Sequence, residues 1–202
     1  MFAPAELNNR LMRHVGYEKG FLPGEPMAFH TYCITGTDGP GPTTPATQEL
    51  CHVNDGLQIG NRRQDLARLR TAGFVTEFGG VEDVATGLKE VRYVTEKLDG
   101  GSSSAPPLSW IFWCWVPAAD DYRKELARSH PLATAGTVTS LSFDASDGRM
   151  VFSFAPVDGV VGSTDVFLSP LHYPQGYQVA FDPVACCSFE PMNNSAKAGE
   201  GP

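Results

Sequence analysis

Residues 27 to 116 alternate between two kinds of periodicity, and this alternation restricts the fold more than any single residue does. The runs "MAFHTYC" (27–33), "GFVTEF" (73–78) and "LSWIFWCWV" (108–116) are short and rich in aromatic and β-branched residues, as strands are. Between the first two, "LQIGNRRQDLARLRTA" (57–72) sets Leu57, Leu66 and Leu69 among basic residues, which predicts an amphipathic helix ending near Gly73. Between the second and third, "VEDVATGLKEVRYVTEKL" (81–98) places Val84, Leu88, Val91, Val94 and Leu98 along one helical face. Acids in its first turns and Lys97 in its last complement the helix dipole. Strand, helix, strand, helix, strand make two βαβ units and therefore a parallel sheet. The third run is expected to be a strand buried on both faces. Residues 1–26, with Pro4, Pro23 and Pro26, read as irregular, and 34–56 as a long Gly/Pro/Thr-rich loop.

Beyond residue 128 the texture changes. "TVTSLSFDA", "RMVFSFAP", "STDVFLSP" and "GYQVAFDP" are four short strand-like runs separated by Gly, Pro and Asp, and "DASDGR" is a hairpin turn between the first two. They predict an antiparallel β domain following the α/β part. Residues 192–202 read as a disordered tail, within which Asn193-Asn194-Ser195 forms a glycosylation sequon.

A chain of 202 residues with net charge −8 can bury a sizeable core, and it has no basic patch with interleaved aromatics, which argues against a nucleic-acid partner. No apolar run approaches the roughly 18 residues of a membrane span. The first residues have neither the basic nor the apolar region of a signal peptide, so the expectation is a cytosolic chain or one that continues upstream, and the compartment stays open. Five cysteines, Cys33, Cys51, Cys114, Cys186 and Cys187, show no metal-ligand spacing, and no metal or organic cofactor is expected. Cys33 and Cys51 flank the long loop, so a disulfide closing it fits an oxidising compartment. A reduced buried thiol is the other reading for all five, and the neighbours Cys186 and Cys187 are not expected to bridge each other.

The residue that most needs explaining is Glu77, one carboxylate in an apolar run closed by Gly79 and Gly80. Burial without a partner would cost it several kcal/mol. It stands at the C-terminal end of its strand, where ligands meet a parallel α/β sheet, and alternation puts Val75, Glu77 and Gly79 on one side. Pairing with Arg70 is the structural alternative. His30 and Tyr32, at i and i+2 at the end of the preceding strand, offer a ring nitrogen and a phenol to one ligand or carboxylate. Trp113 closes the third strand, either as a platform for a sugar ring or as core.

In combination, H-x-Y, then T-E-F-G, then W-x-x-W-x-W at three successive strand ends resemble strands six to eight of a glycoside hydrolase family 5 barrel. Downstream, "RSHPLATAGTVTSLSFD", "FSFAP" and "TDVFLSPLHYPQGYQV" resemble the β-sandwich that follows the barrel in endoglycoceramidase-like members, with His130 replacing the usual Tyr and Val166-Phe167-Leu168 an I-F-V-like stretch. The resemblance spans roughly residues 15–189. It implies a fold of class α/β plus β: the last three strand–helix units of an incomplete (β/α)8 TIM barrel in residues 1–127, then an antiparallel β-sandwich in 128–191. It implies further that Glu77 is the nucleophile of a retaining β-glycosidase, that His30 and Tyr32 support it, and that Trp113 lines the sugar subsite. The implied substrate is a glycolipid, a glycosphingolipid or a glucosylated lipid such as a sterol glucoside. The implied setting is secreted, lysosomal or membrane-associated, with peripheral contact to a membrane surface.

Retaining hydrolysis requires a second carboxyl group as acid/base, ~5–5.5 Å from the nucleophile. In the family it follows an asparagine on strand four, and this sequence contains no Asn-Glu dipeptide. Glu18, Glu25 and Glu49 have no matching context. The expectation is a fragment or truncated product without glycosidase activity as written. The alternative from another class is a non-catalytic β-sandwich that binds carbohydrate or a lipid surface, with "FLSPLHYPQGY" as the docking segment.

Overall fold

The computed structural model describes residues 25–33, 45–79, 84–100, 106–113 and 120–192. Its first part is a three-stranded parallel sheet in the order β1 (Met27–His30), β2 (Gly73–Glu77), β3 (Ser109–Trp110). The crossovers contain α1 (Gln48–Leu69) and α2 (Val84–Asp99), as the alternating periodicity predicts. Met27, Phe29, Val75 and Phe78 from the sheet meet Ile59, Leu66 and Leu69 of α1 and Val91, Val94 and Leu98 of α2 in one core. Each such burial contributes about 1.5–3 kcal/mol, so this face of the sheet holds both helices in place. Arg63 of α1 donates to the Lys97 and Leu98 carbonyl oxygens at 2.8 and 3.1 Å, satisfying carbonyls that the last turn of α2 leaves open.

Helix α1 differs most from its sequence reading. It begins at Gln48 rather than Leu57, so the C-terminal part of the expected long loop is helical. Its buried face is largely polar, comprising Cys51, Asp55, Gln58, Arg62 and Asp65 with Ile59, Leu66 and Leu69. Leu50, Val53 and Leu57 point outward, Leu57 being 51% exposed instead of in the core. Of the predicted apolar face, Leu66 and Leu69 reach the core and Leu57 does not, and Gly56 and Gly60 weakened the helical signal in the N-terminal half. The helix ends at Arg70 in the left-handed conformation (φ 52°), before the expected Gly73.

Helix α2 follows its reading closely over Val84–Asp99. The acids expected in its first turns, Glu82 and Asp83, lie outside the described residues. The third strand is a correction. β3 has only two residues, and Ile111 and Trp113 are 52% and 55% exposed, so the run is not buried on both faces. Leu108 is buried and Trp110 and Phe112 pack on the core, while Ile111 and Trp113 alternate away from it. Cys114 and Trp115 lie outside the described residues.

After α3 (Asp120–Leu126) the chain is antiparallel β. The predicted hairpin forms as β5 (Gly136–Asp144) and β6 (Arg149–Pro156), its turn closed by Gly148 at φ 75° and by Asp144 accepting from Ser146. The run "STDVFLSP" supplies β7 (Asp165–Phe167), which pairs with β4 (His130–Ala133), a strand the sequence reading did not assign. "GYQVAFDP" forms no strand, so its predicted fourth strand is absent. Cys186 and Cys187 are exposed rather than buried, with their sulfurs 2.8 Å apart and no disulfide between them.

A buried polar cluster joins the two parts. Arg128 donates to Asp99 at the end of α2, to Glu125 Oε1 of α3 and, at 2.6 Å, to the Phe143 carbonyl of β5. Asp99 Oδ2 also accepts the Phe143 N–H at 3.2 Å, and Arg92 donates through two nitrogens to Glu125 Oε2.

Candidate active site

The site lies at the C-terminal ends of β1 and β2. Their parallel ladder pairs Phe29 with Val75 and then His30 with Glu77, so the register shifts by one residue at the strand end. Such an irregularity re-aims a side chain, and here it brings Glu77 opposite His30. The Tyr32 hydroxyl donates to Glu77 Oε2 at 3.0 Å, and His30 Nδ1 lies 3.3 Å from the same oxygen. At 32% side-chain exposure the carboxylate is neither fully buried nor on a free surface, and two polar groups compensate its partial desolvation. Arg70, the structural alternative as a partner, is exposed and caps α1 instead.

Trp113 is carried to the same end of the sheet by Gly79. The two form a parallel bridge, and Trp113 N–H donates to the Phe78 carbonyl at 2.8 Å. A Cβ on Gly79 would lie 2.2 Å from the Trp113 carbonyl oxygen, and its φ of 130° is open to glycine alone. Trp113 is 55% exposed at this end of the sheet rather than buried in the core.

Residues 31 to 33 are tied to the inner face of α1. Thr31 Oγ1 is 3.1 Å from Asp55 Oδ1 and 3.2 Å from Gln58 Oε1, Gln58 Nε2 donates to the Tyr32 carbonyl at 3.2 Å, and Cys33 is disulfide-bonded to Cys51. Behind Asp55 stands Glu90 of α2, with His52 Nε2 3.2 Å from its Oε2 and the His52 ring stacked on Tyr93. Burial, then the hydrogen bond to Asp55 and the charge of Asp55, pushes the Glu90 carboxyl up to about 9. Burial also raises Asp55, against hydrogen bonds from Glu90 and Thr31 that favour its charged form. A cavity of about 10 Å³, room for one water, lies between Thr31, Tyr32, Gly79, Asp55 and Glu90.

His30, Tyr32 and Glu77, singled out from sequence, therefore meet at one carboxylate oxygen, with Trp113 on the adjoining strand end. Asp55, Gln58 and Glu90 were missed; in sequence they look like the solvated face of a helix. Glu49 is exposed, Glu25 is exposed ahead of β1, and Glu18 lies outside the described residues. Among the described residues no His, Cys, Asp or Glu cluster is arranged to hold a metal ion, and no helix is long and apolar enough to cross a membrane. In "FLSPLHYPQGY", the Tyr173 hydroxyl donates to the Gly148 carbonyl at 2.7 Å and His172 bonds the Lys124 carbonyl, so both rings serve internal contacts.

Three comparisons relate this chain to known proteins. Residues 128–196 match the family model of the glycoside hydrolase family 5 C-terminal domain. Over 161 residues, 76% of this chain, the sequence is 29% identical to endoglycoceramidase I of Rhodococcus hoagii, and the match covers 30% of that protein. The fold superposes on endo-glycoceramidase II from Rhodococcus sp., in a complex with a cellobiose-like imidazole, with a TM-score of 0.61 and 18% identity. That superposition covers 83% of this chain and 39% of the other, so the chain spans well under half the length of either relative. Domain match, sequence relative and shared fold together make this chain similar to the endoglycoceramidase-like members of glycoside hydrolase family 5.

Proposed function

We propose that the chain carries the nucleophile half of a retaining β-glycosidase site for glycolipids. The observation that carries this reading is the convergence of Tyr32 Oη and His30 Nδ1 on Glu77 Oε2. With both contacts on one oxygen, Oε1 is the atom aimed at an anomeric carbon. The two groups fix the carboxylate's rotamer and stabilise its negative charge before attack. In the complete reaction Glu77 Oε1 bonds to the anomeric carbon as the bond to the lipid oxygen breaks, that oxygen takes a proton from an acid, and water then releases the sugar. Trp113 would stack on the sugar ring at the cleaved bond. The glycolipid class follows from the relatives, one an endoglycoceramidase by sequence. No Asn-Glu dipeptide is present to take the acid role, so the 202-residue chain by itself is proposed to be inactive on natural substrates.

A 2-deoxy-2-fluoro-β-glucoside with a dinitrophenolate leaving group tests the nucleophile without needing an acid, because the phenolate departs unprotonated. The expected result is one 2-fluoroglucosyl adduct on the peptide containing Glu77, none in Glu77→Gln, and no turnover of a fluorogenic glycosphingolipid. An adduct on another residue, or no adduct at all, would overturn the nucleophile assignment. Turnover that disappears in Glu77→Gln would keep that assignment and reject the inactivity.

A further inference from the structure

The ties between residues 31–33 and α1 exceed what holding a helix against a sheet requires. Cys51, Asp55 and Gln58 lie at i, i+4 and i+7, one stripe of the helix, and each engages a different residue of the strand end. Apolar side chains there would pack as well at lower desolvation cost, since Asp55 and Gln58 are each only 1% exposed. What polar side chains add is direction, because a hydrogen bond weakens steeply off its axis. The strand end they orient is the one bearing Tyr32, whose hydroxyl holds Glu77.

We propose that Asp55 and Gln58, backed by a protonated Glu90, are positioning residues that hold the Thr31–Tyr32 strand end so that the Tyr32 hydroxyl meets Glu77 Oε2. This rests on reading Glu77 as the carboxylate of the site. The donor and acceptor roles follow from the geometry. Gln58 Nε2 donates to the Tyr32 carbonyl, which turns its Oε1 toward the Thr31 hydroxyl. Asp55 Oδ1 accepts the single proton of that same hydroxyl at 3.1 Å. Neither Glu90 oxygen receives a hydrogen bond from an N–H or O–H among the described residues, His52 Nε2 included despite its proximity. An ionised Glu90 would thus be a buried, unsatisfied charge, whereas a protonated one donates to Asp55 and keeps Asp55 available to Thr31. Its elevated titration agrees.

The full chain labelled with 3-fluorotyrosine provides the test, since the 19F shift of Tyr32 reports the hydrogen bond of its hydroxyl. Tyr32→Phe assigns the resonance among the six tyrosines, and its displacement in Glu77→Gln sets the scale. Gln58→Met and Thr31→Val are expected to move it at least half as far as Glu77→Gln does. Thr31→Ser, which restores the hydroxyl, and Glu90→Gln, which keeps a neutral donor facing Asp55, are expected to leave it in place. Either removal variant suffices if the other loses its cooperative melt. A resonance unmoved in Gln58→Met and Thr31→Val, or moved as far in Thr31→Ser and Glu90→Gln, overturns the proposal. If Glu77→Gln itself leaves Tyr32 unmoved, it is the underlying pairing of Tyr32 with Glu77 that fails.

Discussion

A carboxyl group that keeps its proton through neutral pH makes stability fall as pH rises, and Glu90 is such a group. Its folded-state value of about 9 lies above that of an unfolded glutamate, ~4.3, so between these limits the native state binds the extra proton. Stability from this group is fully present below the unfolded value and is lost toward pH 9, at up to about 1.4 kcal/mol per pH unit for one retained proton. Asp55, also raised by burial, acts in the same direction, and His52 and Tyr93 are the other titratable groups facing the pair. Urea unfolding at a series of pH values should therefore show wild type losing stability relative to Glu90→Gln as the medium becomes alkaline; parallel curves would refute a protonated Glu90. At this scale the sequence was informative for Glu77, His30 and Tyr32, because period-two alternation and strand ends place side chains without tertiary knowledge. It was silent on Glu90, since "LKEVRYV" puts a charge where only the packing of α1 reveals burial.

Among the elements, α1 and the β2–β3 junction are set by single residues. The Cys33–Cys51 disulfide closes a separation of 18 residues, which in the chain-entropy model constrains the unfolded state by about 3 kcal/mol. Cys51→Ala should lower stability by about that amount in non-reducing urea melts and make the protein indifferent to added reductant, whereas wild type should respond to it. Gly79→Ala tests the junction differently. Its Cβ would meet the Trp113 carbonyl oxygen in a backbone region closed to alanine, so a loss of about 1–3 kcal/mol is expected, with a shift in Trp113 fluorescence. A neutral substitution would show that β3 approaches β2 less closely. Strand "GFVTEF" and helix α2 were legible because their apolar period faces the core. Helix α1 was legible only toward its C-terminal end, where Leu66 and Leu69 reach the core, because disulfide, carboxylate, amide and guanidinium occupy much of its inner face while Leu50 and Leu57 are exposed.

The whole molecule is held together at the Arg128 cluster. Arg128 bonds α2, α3 and β5 at once, and Asp99 is raised above the usual carboxylate range by burial, though Arg128 and the Phe143 N–H oppose this. Removing the cation leaves buried Asp99 without its counter-charge, while Glu125 keeps Arg92, so Arg128→Met should cost about 3–5 kcal/mol in denaturant melts. Adding Asp99→Leu should recover part of that loss, and strictly additive effects would show that the pair is not coupled. By itself the sequence determined that a parallel βαβαβ unit precedes antiparallel β, and that Glu77, His30 and Tyr32 stand at neighbouring strand ends. Both follow from local periodicity, which every residue carries with it. Only the tertiary structure decided that β4 pairs with β7 while "GYQVAFDP" pairs with nothing, that Trp113 is exposed, and that Asp55, Gln58 and Glu90 stand behind the site. Those outcomes depend on which distant segments remove a group from water, and burial is a property of the packed chain rather than of any stretch of it.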